Sequence, residues 1–168
     1  MFTITHRQSI MATSLKNLST HTGKNIKEIS GKKFGIVVAE WNEEVTESLY
    51  NGALETLLKY GAKKEHIIRK NVPGSFELPL AAQWLAAVDE IDAVICIGCV
   101  VQGETRHFDF ICDAVAHGIT NVGLKYDKPV IFGVLTPNTQ QQALDRAGGK
   151  HGNKGDEAAI TAIKMLGF

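Results

Sequence analysis

No apolar run in this 168-residue chain approaches the roughly 20 residues that a membrane-spanning helix requires. Net charge is absent too. Eighteen basic and eighteen acidic residues cancel, whereas a nucleic-acid-binding domain normally carries a basic excess. Cysteine is scarce: Cys96, Cys99 and Cys112 sit in segments that read as core, which does not suggest a secreted disulfide framework. Cys96-Ile97-Gly98-Cys99 matches C-x-x-C, a spacing used by redox pairs and by half of a zinc site. Within a strand, however, side chains three apart point to opposite faces, so these sulfurs diverge. No second C-x-x-C or H-x-x-x-H completes a metal site, and the cysteines read as buried core residues.

Several nucleotide and hydrolase signatures are also missing. A dinucleotide site needs G-x-G-x-x-G after the first strand, but that turn reads Ala39-Glu40-Trp41-Asn42-Glu43 and cannot approach a pyrophosphate. The GGKHGNKG segment at 148–155 fails the P-loop spacing and follows a helix rather than a strand. There is no G-x-S-x-G nucleophile elbow. Acidic residues are absent before Glu28, and the first 31 residues are rich in Ser, Thr and Lys without an apolar h-region. They read as a flexible tail (residues 1–31) with a short strand near 24–29 and a natural start at Met1 or Met11, followed by one domain over 32–168.

What is present alternates strand and helix. Strands are expected at 34–39, 67–72, 93–100 and 129–135, and helices at 43–60, 77–88, 106–124, 139–147 and 157–166. Asn42 suits the N-cap of the first helix and Gly61 its C′ position, while Val45, Leu49, Ala53, Leu57 and Tyr60 line one face. Phe108, Ile111, Cys112, Val115, Ala116 and Ile119 give the third helix its apolar stripe, with Thr105 and His107 in its first turn. A glycine-rich turn is expected at 148–155. Alternating β and α implies a parallel sheet with helices on both faces: an α/β fold in three α/β/α layers with a four-stranded sheet.

In such a fold the carboxyl ends of the strands collect on one side, where ligands bind. The inventory there is Trp41 and Asn42 from the first strand, and Gly74, Ser75, Phe76 and Glu77 from the second. The third supplies Gly103, Glu104, Thr105 and His107, and the fourth Phe132 part-way along with Thr136 at its end. A large aromatic, an acid, an amide and free backbone groups suit a flat polar heterocycle, stacked on one face and hydrogen-bonded at its edge. Trp41 equally suits an interface or a helix-covering role, and Glu77 a first-turn acid favoured by the helix dipole. The amides at Glu104-Thr105 open a helix and form an anion site. Glu104 would repel a phosphate unless a cation offsets it. Arg146 is the candidate, and it also reads as a solvated helix arginine. An imidazole at His107 can accept a proton and return it, or serve a structural role.

Five motifs then occur in order: WN at 41–42, VPGSFELP at 72–79, VVQGETRHFD at 100–109, PVIFGVLT at 129–136 and RAGGKHGNKG at 146–155. Together they resemble the lumazine synthase family, over roughly residues 33–168. Gln102 stands where many relatives carry a basic residue, and Trp41 where others carry Phe.

The resemblance implies a flavodoxin-like fold and a cytoplasmic, cofactor-independent transferase. The implied reaction condenses 5-amino-6-(D-ribitylamino)uracil with 3,4-dihydroxy-2-butanone 4-phosphate to 6,7-dimethyl-8-ribityllumazine, releasing phosphate and water. A flavin-binding protein without turnover and a shell-forming structural protein are the alternatives. The resemblance further implies that Trp41 stacks on the pyrimidine, with Asn42, Ser75, Phe76 and Glu77 around the ring and ribityl chain. Cys99, Val100 and Val101 would line the pyrimidine pocket, Glu104 and Thr105 would cradle the phosphate, and His107 would be the proton donor. Phe132 and Arg146 would come from the neighbouring subunit of a homopentamer, and Lys154 would approach the phosphate end. An icosahedral shell, riboflavin synthase as a partner, and an N-terminal strand added to a neighbouring subunit's sheet complete the expectations.

Overall fold

The computed structural model describes residues 28–168. Residues 1–27 of the expected tail, and with them nearly all of the short strand expected at 24–29, lie outside the described residues. Residues 28 and 29 carry no strand, and Ile29 is buried in the core.

The elements run β1 (Phe34–Ala39), α1 (Glu43–Lys59), β2 (Ile67–Val72), α2 (Leu78–Ala86), β3 (Ala93–Cys99), α3 (His107–Tyr126) and β4 (Val130–Leu135). They continue through α4 (Gln140–Leu144), β5 (Ala147–Gly149), β6 (Gly152–Asn153) and α5 (Lys154–Met165), with short 3-10 turns at Lys64–His66 and Ser75–Glu77. Four strands form one parallel sheet in the order β2-β1-β3-β4. β1 and β3 are buried at every position because helices cover both faces. On one side Phe34, Ile36, Val38, Ile95 and Ile97 pack against Leu49 and Leu57 of α1 and Ala159 and Ile163 of α5. On the other, Val37, Val94 and Cys96 meet Leu78 and Leu85 of α2 and Val115 and Ile119 of α3. Cys96 and Cys99 accordingly fall in opposite clusters, as their spacing requires.

The local chemistry of the helix ends is readable. α1 closes in a Schellman arrangement: Gly61 takes φ 98° and donates to the Leu58 carbonyl, and Ala62 donates to that of Leu57. The third helix begins at His107, so Thr105 precedes it rather than lying in its first turn. α2 starts at Leu78 after the 3-10 turn. The helix expected over 139–147 is only the five residues of α4, because the chain leaves it for β5. The expected glycine-rich turn is an antiparallel β5–β6 ribbon. α5 starts at Lys154 instead of Glu157, because the Asn153 side chain accepts from the Gly155 N–H at 2.8 Å and caps it earlier. Among the described residues no helix is long and apolar enough to cross a membrane.

The strand order reverses between β1 and β3. The chain first steps outward from β1 to β2, then returns across β1 to β3 and β4. That reversal opens a crevice beyond the carboxyl ends of β1 and β3, and the candidate site lies there.

Candidate functional site

Past β1 the backbone turns toward β2: Glu40 N–H donates to the Val72 carbonyl at 2.9 Å and Trp41 N–H to that of Pro73 at 3.2 Å. This leaves the Trp41 indole 73% exposed at the mouth of the crevice. So exposed, it is available among the described residues to stack on a planar ligand. Asn42 occupies the N-cap position, yet its side chain does not cap α1. Its backbone is left-handed (φ 61°, ψ 44°) and its Nδ2 donates to the Cys99 carbonyl at 2.8 Å.

The next wall is the turn after β2. Gly74 N–H donates to Glu77 Oε2 at 3.0 Å, and Glu77 N–H donates back to the Gly74 carbonyl at 3.3 Å. Glu77 is therefore held by this turn as well as by the helix dipole. Phe76 is exposed beside it, whereas Ser75 is buried with its Oγ unpaired among the described residues. Ser75 comes this close to β3 because Gly98 lacks a side chain: a Cβ there would stand 2.6 Å from Ser75 Oγ.

Cys99, Val100 and Val101 form the floor, and Val100 N–H is tied to the Leu135 carbonyl at 2.9 Å. Burial pushes the Cys99 thiol up to about 11 and that of Cys96 to about 12. Both are protonated at neutral pH, so Cys99 contributes an apolar wall and a backbone carbonyl rather than a nucleophile. His107 and Ile111 close the far side, one helical turn apart on α3. The cleft so enclosed measures about 640 Å³, the size of a small-molecule site.

Glu104 and Thr105 lie on the exposed segment that leads into α3, outside the walls of this cleft but adjacent to His107. Among the described residues their backbone N–H groups make no hydrogen bond, while Thr105 Oγ1 accepts from His107 N–H at 3.4 Å. No ion pair joins Arg146 to Glu104 among the described residues. Arg146 Nη1 instead donates to the Gln142 carbonyl at 3.0 Å. Lys154 pairs with Glu157 at 2.6 Å.

Phe132 does not reach the cleft of its own chain. It pairs in register with Cys96, three residues before Cys99, which puts it about 10 Å below the carboxyl edge. There it is 42% exposed on the open edge of the sheet. Phe132 and Lys154 border a separate depression of about 870 Å³ beside β4, between α3 and α5. The structure thus gathers Trp41, Asn42, Ser75, Phe76, Glu77, Cys99, Val100, Val101 and His107, and leaves Phe132, Arg146 and Lys154 elsewhere. Ile111 was legible only as a member of the α3 stripe. Its place one turn after His107 was the signal that it faces the cleft.

Comparison with known proteins agrees over almost the whole chain. The family model described as 6,7-dimethyl-8-ribityllumazine synthase matches residues 31–168. A protein of that name from Cytophaga hutchinsonii is 68% identical over 156 residues, covering 93% of this chain and 98% of the relative. Another from Parabacteroides distasonis is 56% identical over 158 residues, covering 94% and 99%. With its motif-bearing loops gathered around one cleft and its full domain matched, the chain belongs to the 6,7-dimethyl-8-ribityllumazine synthase family.

Proposed function

We propose that the chain condenses 5-amino-6-(D-ribitylamino)uracil with 3,4-dihydroxy-2-butanone 4-phosphate, giving 6,7-dimethyl-8-ribityllumazine with release of phosphate and water. The observation that carries this reading is the convergence of three loops, at 41–42, 74–77 and 99–107, on one cleft with an exposed indole at its mouth. The pyrimidine stacks on Trp41. Ser75, Phe76, Glu77 and Asn42 meet its edge and the ribityl chain, and the backbone of Cys99, Val100 and Val101 lines the rest. The amides of Glu104 and Thr105, unpaired among the described residues, hold the phosphate of the second substrate at the neighbouring end.

The amine of the uracil attacks the ketone and loses one water to give an imine, phosphate leaves, and after tautomerisation the second amine closes the ring with loss of a second water. Each step relocates protons while the reactants themselves supply nucleophile and leaving group. A shared site and one proton carrier, His107, therefore provide the catalysis. Phe132, Arg146 and Lys154 complete the site of an adjacent subunit in a homopentamer. Their distance from the cleft of their own chain and the open β4 edge support this arrangement. The compact β5–β6 ribbon favours assembly of pentamers into an icosahedral shell in the cytoplasm, with riboflavin synthase as the partner that takes the product.

Mixing both substrates with the protein and following lumazine absorbance tests the activity. A protein that binds riboflavin but forms no lumazine at any concentration refutes it. Sedimentation at micromolar protein separates the assemblies: one pentamer-sized species, unchanged by phosphate, excludes the shell.

A further inference from the structure

β1 and β3 run side by side only as far as the pair Val38 and Ile97. Beyond it they part, because Glu40 and Trp41 donate toward β2 while Val100 donates toward β4. The carbonyl of the buried Cys99 is thereby left without a strand partner from β1 at the floor of the crevice. Asn42 supplies one through its Nδ2 at 2.8 Å.

The backbone of the same residue stands in the left-handed region, which Gly, Asn and Asp tolerate best. Donating to a carbonyl excludes the other two, since glycine has no side chain and an ionised aspartate only accepts. Asn42 meets both demands. It does so while leaving α1 without a side-chain cap, at a position where asparagine is among the strongest caps. A local preference set aside in this way is expected where a residue serves a site.

The geometry points to Asn42 as the positioning residue of this cleft: its amide bridges the diverging ends of β1 and β3 and so fixes the orientation of Trp41 next to it. This role rests on the proposed use of the cleft by the ring substrate. A carbonyl can only accept, so one N–H of the amide is committed to Cys99, and the second N–H and Oδ1 remain for a ligand. Contact through Oδ1 and positioning predict opposite orders for two variants, and contact through the second N–H is told from positioning by the Trp41 signal without ligand, which contact alone leaves unchanged. If Asn42 serves the substrate only through Oδ1, Asn42→Asp keeps an acceptor and is the milder change. If it serves by holding Cys99, Asn42→Asp sets a carboxylate against a carbonyl and is at least as damaging as Asn42→Gly, which keeps the backbone freedom that φ 61° requires.

The experiment uses Trp84→Phe, which leaves Trp41 as the only tryptophan of the two in the chain. In this background both Asn42 variants are compared with their parent by ligand-free Trp41 emission and anisotropy, and by KM and kcat with both substrates. Positioning predicts an altered Trp41 signal without any ligand. It also predicts a KM for the ribitylaminouracil raised about tenfold, the scale of one lost hydrogen bond, with kcat changed much less. KM for the butanone phosphate should hardly move. An unchanged Trp41 signal, a lowered melting midpoint alone, or Asn42→Asp retaining the parent KM while Asn42→Gly loses it overturns the role. If the parent itself forms no lumazine, the proposed function fails, and the ligand-free Trp41 signal still decides whether Asn42 positions it.

Discussion

Gly155, the second residue of α5, lies against the backbone of α1, and among the described glycines Gly155→Ala should be the most damaging added methyl. A Cβ at this position would stand 1.8 Å from the Leu49 carbonyl oxygen and 2.7 Å from its carbonyl carbon, both in the backbone of α1. Tolerable C···O contacts begin near ~3.3 Å, so α5 must retreat from α1 by roughly 1.5 Å. No rotamer change relieves a clash with backbone. Overpacking of this kind costs ~1–3 kcal/mol and sometimes more, and the helix propensity gained from alanine returns at most about 1 kcal/mol.

With a backbone clash at the upper end of that range, the net loss is about 2 kcal/mol, a melting midpoint lower by roughly 4–8 °C for a chain of this size. The retreat also carries Lys154 and, through the Lys154 N–H bond to the Arg146 carbonyl, the ribbon bearing Arg146. KM for the butanone phosphate should therefore rise more than KM for the ribitylaminouracil. Thermal unfolding at equal protein concentrations, with Gly31→Ala as the control, provides the assay. A Cβ at Gly31 meets nothing within 4 Å. Equal midpoints for the two variants would falsify the reasoning, since the helix contact would then be looser than the distances state.

On the proposed role of His107 as proton carrier, replacing it by alanine should lower the rate by roughly 10²–10⁴ while leaving ribitylaminouracil binding largely intact. Arg146→Ala should instead raise KM for the butanone phosphate, and a variant that weakens only the uracil substrate removes the phosphate assignment. Thiol titration of the native protein near ~pH 8 should modify neither Cys96 nor Cys99, whose thiols are raised to about 12 and about 11, and denaturation should release all three cysteines. Fast modification of more than one thiol in the native state contradicts that burial. Burial, followed by the charges of Glu55 and Glu157, raises the Asp156 carboxyl above its ordinary value. Its ionisation therefore opposes folding as pH climbs from about 3.9 through the raised folded value. Asp156→Asn should raise the melting midpoint near neutral pH and lose that advantage in acid below the unfolded value, and an unchanged neutral midpoint argues against the strain.

Much of the architecture is set by local pattern. Runs such as Ala93-Val94-Ile95-Cys96-Ile97 are apolar without alternation, and burial on both faces is the arrangement that accommodates them. The α1 stripe from Val45 to Leu57 buries as its spacing requires, and Gly61 stops that helix because it alone avoids a Cβ penalty at φ 98°. The three-residue interval between Cys96 and Cys99 is enough to send their side chains to opposite clusters. Candidate site residues were legible for the same reason: in a parallel sheet every strand ends on the same side, so Trp41, Glu77 and His107 could be placed at one rim.

Tertiary structure decided what depends on partners distant in sequence. Asn42 carries the local signal of a helix cap, but the Cys99 carbonyl, 57 residues away, takes its amide. The segment after β4 reads as a helix over 139–147 and a glycine-rich turn over 148–155, yet the β5–β6 ribbon packs against α1, where Ser48 Oγ donates to the Ala147 carbonyl and Asn153 Nδ2 to that of Ser48. Phe132 belongs to a recognisable motif, but only the register of β4 on β3 places it well below the rim and on an open edge. Periodicity reports which face of an element is buried. Depth, register and the destination of a polar side chain are set by contacts between elements, and those exist only once the chain has folded.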